Sequence, residues 1–178
     1  MLYFDEAHSV GIDGINGLGI IGEDSELHEN EVVIGTFSKA FGSFGSYVVC
    51  SQVNKNRINN YCSGFIYSTA LPPSVLGAID EGVKLIPTLR YERIKLHSQS
   101  EYLRSKLIKL GFNILNSDTH IIPILFADQK KARKTHKFLL KKGFFVSLIR
   151  PPTVPRGKSR LRISLSSSIS MNSINNIL

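Results

Sequence analysis

The feature that most constrains this chain is a dense run of glycines near its beginning. Residues 9–22 contain five glycines in fourteen positions: Gly11, Gly14, Gly17, Gly19 and Gly22. A helix does not tolerate that density, because each glycine in a helix interior costs about 1 kcal/mol relative to alanine. The segment must therefore turn repeatedly. It follows an apolar strand whose end carries Asp5 and His8, so the chain opens with a strand that leads into a glycine-rich loop.

Strands and helices follow one another along the rest of the chain. The patterns predict strands at 32–36, 46–51, 120–126, 144–149 and 159–165, helices at 52–62, 74–110 (broken at Pro87) and 128–142, and an extended link at 65–71. In the last strand Leu161, Ile163 and Leu165 alternate with polar residues, which predicts one apolar and one polar face.

This order predicts an α/β fold. Residues 1–88 form the C-terminal part of a large domain with a mostly parallel sheet, and residues 89–178 form a linking helix and a small α+β domain. Three strands are too few to complete a doubly wound sheet, so the first domain is predicted to be incomplete.

Charge is distributed unevenly along the 178 residues, whose formal net charge is +8. Residues 1–38 hold eight acidic side chains and no lysine or arginine. A basic cluster between residues 130 and 142 lies on a predicted amphipathic helix, and a solvated helix face explains it better than a polyanion site. We therefore expect no nucleic-acid partner.

No segment predicts a membrane span or a secretory signal. The chain has no apolar run of about eighteen residues, and its first residues have neither a basic segment nor a cleavage site. Cys50 and Cys62 lack metal-type or redox spacing, which favours reduced thiols and a cytoplasmic protein. No metal site is predicted.

Polar and ionisable residues stand at the ends of two predicted parallel strands, where open α/β sheets bind their ligands. Asp5 and His8 follow the first strand, and Thr36, Ser38 and Lys39 follow the second. A lysine there can form a Schiff base with a carbonyl cofactor. The hydroxyls can donate to a phosphate, and a carboxylate can pair with a protonated pyridine nitrogen.

Each of these residues alone has an ordinary explanation. An aspartate at a strand end is commonly a turn former, a lone lysine is usually a surface cation, and a lone histidine is usually structural. The tetrapeptide Asp-Glu-Ala-His also occurs in nucleotide-driven helicases. That interpretation fails here because the sequence has no Gly-x-x-x-x-Gly-Lys-Ser/Thr phosphate loop.

Four segments carry a stronger signal when taken together. They are residues 5–11 (Asp-Glu-Ala-His-Ser-Val-Gly), 36–42 (Thr-Phe-Ser-Lys-Ala-Phe-Gly), 67–73 (Tyr-Ser-Thr-Ala-Leu-Pro-Pro), and 149–157 (Ile-Arg-Pro-Pro-Thr-Val-Pro-Arg-Gly) with 160–164 (Arg-Leu-Arg-Ile-Ser). In this order they resemble the α-oxoamine synthases, which are fold-type I enzymes dependent on pyridoxal phosphate (PLP). The resemblance spans nearly the whole chain and implies the PLP-dependent transferase fold.

The resemblance implies a role for each matching residue. The catalytic residues are Lys39, His8 and Asp5, and Thr36 and Thr69 join these three in binding PLP. Lys39 would hold PLP covalently and move protons, Asp5 would pair with the pyridine nitrogen, and His8 would contact the phenolic oxygen. Thr36 would bind the phosphate, and Thr69 would reach the phosphate of the neighbouring subunit in a homodimer.

The resemblance also implies an acyl-transfer reaction. Arg162 would hold the carboxylate of the amino acid, and Thr153 would line the substrate site. The enzyme would condense an amino acid with an acyl thioester and release carbon dioxide. The tract Arg150-Pro151-Pro152 looks most like the biotin-pathway member, which joins L-alanine to a pimeloyl thioester carried on coenzyme A or acyl carrier protein. Glycine C-acetyltransferase and 5-aminolevulinate synthase types are alternatives.

Members of this family are about twice as long as this chain. Groups that the family places before the first motif, including a phosphate-binding turn and an aromatic ring that stacks on PLP, are not in the sequence. The hypothesis is therefore a truncated fragment that is inactive alone. The alternatives from other classes are a non-catalytic remnant or interaction module, and a nucleic-acid-binding protein based on charge alone.

Overall fold

The structure is a computed structural model that describes residues 1–21 and 26–178, and the chain divides into two compact units, 1–93 and 94–178. The strands are β1 (Leu2–Asp5), β2 (Glu31–Thr36), β3 (Ser46–Cys50), β4 (Ile121–Phe126), β5 (Ser147–Ile149) and β6 (Ser159–Ser164). The helices are α1 (Gln52–Tyr61), α2 (Ser63–Ile66), α3 (Pro73–Leu85), α4 (Arg90–Lys109), α5 (Gln129–Lys141) and α6 (Met171–Asn176), with 3-10 turns at Ile15–Gly17 and Ile86–Thr88. Gly22 of the predicted glycine-rich loop lies outside the described residues.

The first unit contains a mixed three-stranded sheet in the order β1-β2-β3. β1 pairs with β2 in parallel, with Asp5 opposite Ile34, and β2 pairs with β3 in antiparallel register, with Thr36 opposite Ser46. Residues opposite each other share a face of the sheet, and so do residues two apart in one strand. Asp5 and Thr36 therefore lie on the same face, at the edge where β1 and β2 both end.

Aromatic rings pack around the end of β2. The ring of Tyr47 lies directly against Gly35, so closely that a methyl carbon at Gly35 would be 2.2 Å from a ring atom. Phe37 contacts Tyr47, with ring centroids 5.1 Å apart, and meets Phe41 edge-on at 5.2 Å. These contacts fix the direction in which the chain leaves β2.

The helices of the first unit agree with the sequence patterns except in one place. The long helical pattern breaks at the predicted proline, because the turn Ile86–Thr88 separates α3 from α4. The predicted extended link over residues 65–71 is wrong at its start, since Phe65 and Ile66 belong to α2. Their backbone N–H groups donate to the carbonyl of Cys62, which closes a short helical turn.

The second unit contains an antiparallel sheet in the order β4-β6-β5. The predicted alternation in β6 is confirmed, because Leu161 and Ile163 are buried while Arg160 and Arg162 are half-buried on the other face. Helix α5 packs beside the three strands and buries Ala132. The core of this unit is aliphatic, so burial of branched side chains is its main source of stability.

Two elements of the second unit differ from the sequence patterns. The strand predicted at 144–149 begins only at Ser147, because the backbone N–H of Phe144 instead caps α5 by donating to the carbonyl of Leu139. Helix α6 was not predicted. Ser170 caps its first turn by accepting from the N–H of Ser173, and Ile174 anchors it in the core with 2% exposure.

The contact between Gly35 and Tyr47 generates a stability prediction. Gly35→Ala should destabilise the first unit by about 1–3 kcal/mol, because the added methyl overlaps the ring. Gly77→Ala is the matched control, since a methyl there meets no atom within 4 Å and should stabilise α3 by up to about 1 kcal/mol. Urea denaturation of both variants measures the difference. Equal free energies of unfolding for the two variants would show that the packing of Tyr47 does not require a glycine at position 35.

Candidate functional site

The end of β1 sends two neighbouring carboxylates in different directions. Asp5 is exposed, and its Oδ1 accepts a hydrogen bond from the N–H of Ala7 at 3.0 Å. Glu6 is buried, and its backbone N–H donates to the carbonyl of Ile34 at 2.8 Å, which continues the pairing with β2 by one residue. The carboxylate of Asp5 is therefore accessible to a ligand, whereas the carboxylate of Glu6 is buried in the first unit.

The end of β2 forms a closed polar turn. The N–H of Phe37 donates to the carbonyl of Gly45 at 2.9 Å, and that carbonyl also accepts from the hydroxyl of Thr36 at 3.0 Å. The hydroxyls of Thr36 and Ser38 are 2.8 Å apart, and the N–H of Ser38 donates to Thr36 Oγ1 at 3.2 Å. Lys39 follows on this turn and is exposed. The turn thus presents two hydroxyls and one amine side by side in the chain.

The loop after β1 and the turn after β2 touch each other. A methyl carbon added to Gly11 would lie 2.5 Å from Cβ of Ala40, the residue after Lys39, so Ala40 packs directly on the backbone of Gly11. The parallel pairing of β1 and β2 brings both strand ends to one edge. The structure therefore gathers Asp5, Thr36 and Lys39 at the same edge of the sheet.

The other two predicted site residues of the first unit lie in segments joined to this edge. His8 is exposed in the turn that follows Glu6. Thr69 is exposed between α2 and α3. Leu71, two residues later, packs against Gly45, where a methyl carbon would lie 2.9 Å from Leu71 Cδ1. The segment that carries Thr69 is therefore anchored on the turn that carries Lys39.

Tyr47 lies beneath this edge and has an altered acidity. Burial raises the pKa of its phenol, and the nearby negative charge of Glu6 raises it further. Both effects disfavour the phenolate, so Tyr47 is neutral at physiological pH. Its ring packs against Gly35 and Phe37.

Arg162 of β6 lines an open pocket of about 380 Å³ in the second unit. Its Nε atom is buried and has no hydrogen-bond partner. Arg160, two residues away on the same face, lines the pocket too, together with the polar residues Ser117 and Thr119. A buried donor without an acceptor is costly, which favours an anionic ligand at Arg162.

Thr153 is not brought to this pocket. It is exposed in the loop after β5, its N–H donates to the carbonyl of Arg150 at 3.1 Å, and it lies outside the pocket lining. Its predicted contact with substrate stays a prediction.

Sequence reasoning missed two residues of these sites. Glu6 is 4% exposed and binds backbone N–H groups, although it stands in a tetrapeptide whose neighbours were singled out. The available signal was strand alternation, which turns residue 6 away from the face that Asp5 uses. Arg160 shares the face of Arg162 for the same reason.

Residues 1–21 and 26–178 contain no group of three or more His, Cys, Asp or Glu side chains that could hold a metal ion. None of the helices in these ranges has the length and apolar character that crossing a membrane requires.

A family model described as aminotransferase class I and II matches residues 1–178. A protein of Gluconacetobacter diazotrophicus named 8-amino-7-oxononanoate synthase is 41% identical over 167 residues, which cover 94% of this chain and 41% of that protein. The chain thus spans less than half the length of the curated relatives it matches.

Two solved structures share the fold of nearly the whole chain. Serine palmitoyltransferase from S. paucimobilis, with bound PLP–myriocin aldimine, matches with a TM-score of 0.90 at 30% identity and covers 99% of this chain and 45% of that one. The 8-amino-7-oxononanoate synthase from Francisella tularensis matches with a TM-score of 0.85 at 26% identity and covers 99% and 52%. These likenesses confirm the predicted α/β fold.

The raised pKa of Tyr47 generates a prediction for alkaline pH. A raised pKa in the folded state means that the neutral phenol contributes stability below its ordinary pKa of about 10, and that this contribution is lost as pH rises through the folded value. Tyr47→Phe keeps the ring but cannot ionise, so it should lose less free energy of unfolding above about pH 10 than the wild type does. Urea denaturation at a series of pH values measures this.

Tyr61→Phe is the matched control, because Tyr61 is 84% exposed. Its alkaline loss should equal that of the wild type. If Tyr47→Phe and Tyr61→Phe behave alike, the environment of Tyr47 does not oppose ionisation.

Proposed function

Because this chain belongs to the family of class I and II aminotransferases, we propose that it forms the C-terminal part of a PLP-dependent 8-amino-7-oxononanoate synthase. The enzyme condenses L-alanine with a pimeloyl thioester, carried on coenzyme A or acyl carrier protein, and releases carbon dioxide in biotin synthesis. The 41% identity to the Gluconacetobacter synthase over 94% of this chain supports this choice.

The observation that carries the proposal is the convergence of Asp5, Thr36 and Lys39 at one edge of the sheet. A carboxylate, a hydroxyl and an amine are the groups that suit the ring nitrogen, phosphate and aldehyde of PLP. The residues present therefore fit this cofactor. When bound, PLP supplies an aromatic ring that accepts the electron pair left on the α-carbon of the amino acid.

Each residue at this edge has a distinct task. The Asp5 carboxylate accepts a hydrogen bond from the ring nitrogen and favours its protonated form. The hydroxyls of Thr36 and Ser38, which in this structure bind the Gly45 carbonyl and each other, would turn to donate to the phosphate, and His8 would donate to the phenolic oxygen. The Nζ amine of Lys39 would hold the cofactor covalently and, when free, would take and return the proton at the α-carbon of the amino acid.

Arg162 and Thr153 act on the substrate. The guanidinium of Arg162 holds the carboxylate of alanine, and its unpartnered Nε together with its place in an open pocket supports this role. Thr153, which lies outside the lining of that pocket, would reach the amino acid from the loop after β5. Fixing the carboxylate orients the α-carbon of the amino acid toward the reacting groups, so that less entropy is lost in reaching the transition state.

The active form in this proposal is a cytoplasmic homodimer whose sites lie between subunits. Thr69 reaches the phosphate bound by the neighbouring subunit. Residues 59–70 are all exposed and include the large aromatic residues Tyr61, Phe65 and Tyr67. An exposed aromatic segment of this kind suits a protein interface and supports the assignment.

A second candidate is another decarboxylative acyltransferase of the same kind. The TM-score of 0.90 to serine palmitoyltransferase supports it, because the shared fold does not by itself select the amino acid or the acyl chain. Glycine C-acetyltransferase and 5-aminolevulinate synthase types would keep Lys39 and Asp5 in the same roles.

We also infer that the chain is inactive without the part of the enzyme that its relatives have in addition, since it spans 41% of the Gluconacetobacter enzyme. Without that additional part the chain would be a non-catalytic remnant or an interaction module.

Covalent capture of PLP tests the cofactor site. Borohydride reduction of the chain mixed with PLP should fix the label preferentially at Lys39, because the surrounding hydroxyls and Asp5 favour PLP there. Mass spectrometry of peptides locates the label. Lys39→Ala should abolish the preferred site, whereas Lys55→Ala, on the exposed surface of α1, should leave it unchanged. Equal labelling of all exposed lysines would contradict the proposed cofactor site.

A chimera tests the reaction. The chain replaces the corresponding C-terminal part of the Gluconacetobacter synthase, and growth of a biotin-requiring bacterium without biotin is scored. We expect growth, and we expect Arg162→Gln to lower kcat/KM for L-alanine by about tenfold to a hundredfold through loss of a charged hydrogen bond.

Arg160→Gln is the control on the same strand face and should have a smaller effect. A folded chimera that accepts glycine or serine but not L-alanine would favour the second candidate. Equal losses for Arg160→Gln and Arg162→Gln would remove the specific role of Arg162.

A further inference from the structure

Glu6 is a buried carboxylate to which neither the sequence motifs nor the proposed reaction gives a task. It is 4% exposed and is the only buried carboxylate among the described residues. A buried charge is costly unless it is hydrogen-bonded, so its partners indicate what it does.

The two carboxylate oxygens of Glu6 bind the far end of the glycine-rich loop. Oε2 accepts from the N–H of Ile20 at 3.1 Å, and Oε1 accepts from the N–H of Ile21 at 2.7 Å. Two N–H donors suit an ionised carboxylate, which is an acceptor only. Gly19 allows the close approach, because a methyl carbon there would lie 2.9 Å from Oε2 and its φ is +99°.

The backbone of Glu6 holds the beginning of the same loop. Its carbonyl accepts from the N–H groups of Ser9 at 3.1 Å and Val10 at 3.0 Å, and its own N–H donates to Ile34 of β2. One residue therefore fixes both ends of the loop and ties them to the strand that leads to Lys39.

The loop between these ends is closed internally and meets the lysine turn. The N–H of Gly11 donates to the carbonyl of Gly17 at 2.7 Å, and the N–H of Gly19 donates to that of Asp13 at 3.0 Å. Gly11 in turn carries the contact with Ala40. A displacement of the loop would therefore remove the surface on which the residue after Lys39 rests.

We propose that Glu6 is a positioning residue for Lys39. By clamping the loop of residues 9–21 to the end of β1, it holds Gly11 under Ala40 and so fixes the turn that carries Lys39. This inference rests on the proposed function, because it assigns the orientation of the amine that is to hold PLP.

The test compares the labelling of Lys39 by PLP with that of Lys55 in the same sample. After borohydride reduction, the ratio of labelled Lys39 to labelled Lys55 reports the local setting of Lys39 and is independent of the total amount of chain in the sample. Glu6→Gln should lower this ratio several-fold, because the amide replaces one of the two acceptor oxygens by an NH2 group, which faces an N–H donor and cannot accept from it. Glu26→Gln, at an exposed glutamate, should leave it unchanged.

Two further variants keep the result interpretable. Glu6→Asp retains the charge and should restore part of the ratio. Ala40→Gly removes the contact with Gly11 without changing Glu6, lies at an exposed position, and should lower the ratio as Glu6→Gln does. Hydrogen–deuterium exchange of residues 9–21 should rise in Glu6→Gln and stay at the wild-type level in Glu26→Gln.

The outcomes separate the two proposals. A wild-type chain with no preference for Lys39 contradicts the cofactor site itself. A wild-type preference that persists in Glu6→Gln while exchange of the loop rises contradicts the positioning role alone. If Glu6→Gln fails to fold, Ala40→Gly decides, because an unchanged ratio there shows that the contact with the loop does not set the position of Lys39.

Discussion

The parallel pairing of β1 with β2 is the constraint on which the candidate cofactor site depends. Parallel strands end at the same edge, so the groups that follow them meet there although about thirty residues of sequence separate them. Had β1 and β2 run antiparallel, Asp5 and Thr36 would stand at opposite ends of the sheet. The register adds the second requirement, because a slip of one residue would turn Asp5 to the other face.

The two units use strand alternation for the same purpose in different settings. At the end of β1 it separates Asp5, which is exposed, from the next residue, Glu6, which binds the far end of the glycine-rich loop. In β6 it separates the buried Leu161 and Ile163 from the arginines that line the open pocket. In β6 the buried aliphatic face holds the strand in place, and at the end of β1 the hydrogen bonds of Glu6 do so; in both places the polar side chains are left available for a ligand.

Much of this arrangement was predictable from the sequence because local rules determine it. The glycine density indicated the loop after β1, Pro87 indicated the break between α3 and α4, and alternation indicated the polar face of β6. What could not be predicted depends on contacts between distant residues. Helix α6 is short and polar, and it requires the cap at Ser170 and the burial of Ile174. The burial of Glu6 depends likewise on two N–H groups fourteen and fifteen residues later.

The sheet of the first unit has a consequence for the chain in solution. Among the described residues, β1 and β3 each pair with β2 alone, so each presents an outer row of backbone donors and acceptors. Apolar side chains on these strands are exposed as well, with Tyr3 at 64% and Val49 at 46%. Exposed sheet edges of this kind can pair with further strands through their backbone N–H and C=O groups. These edges are therefore templates for intermolecular β-pairing, and association through them should increase with concentration unless another polypeptide pairs with both edges.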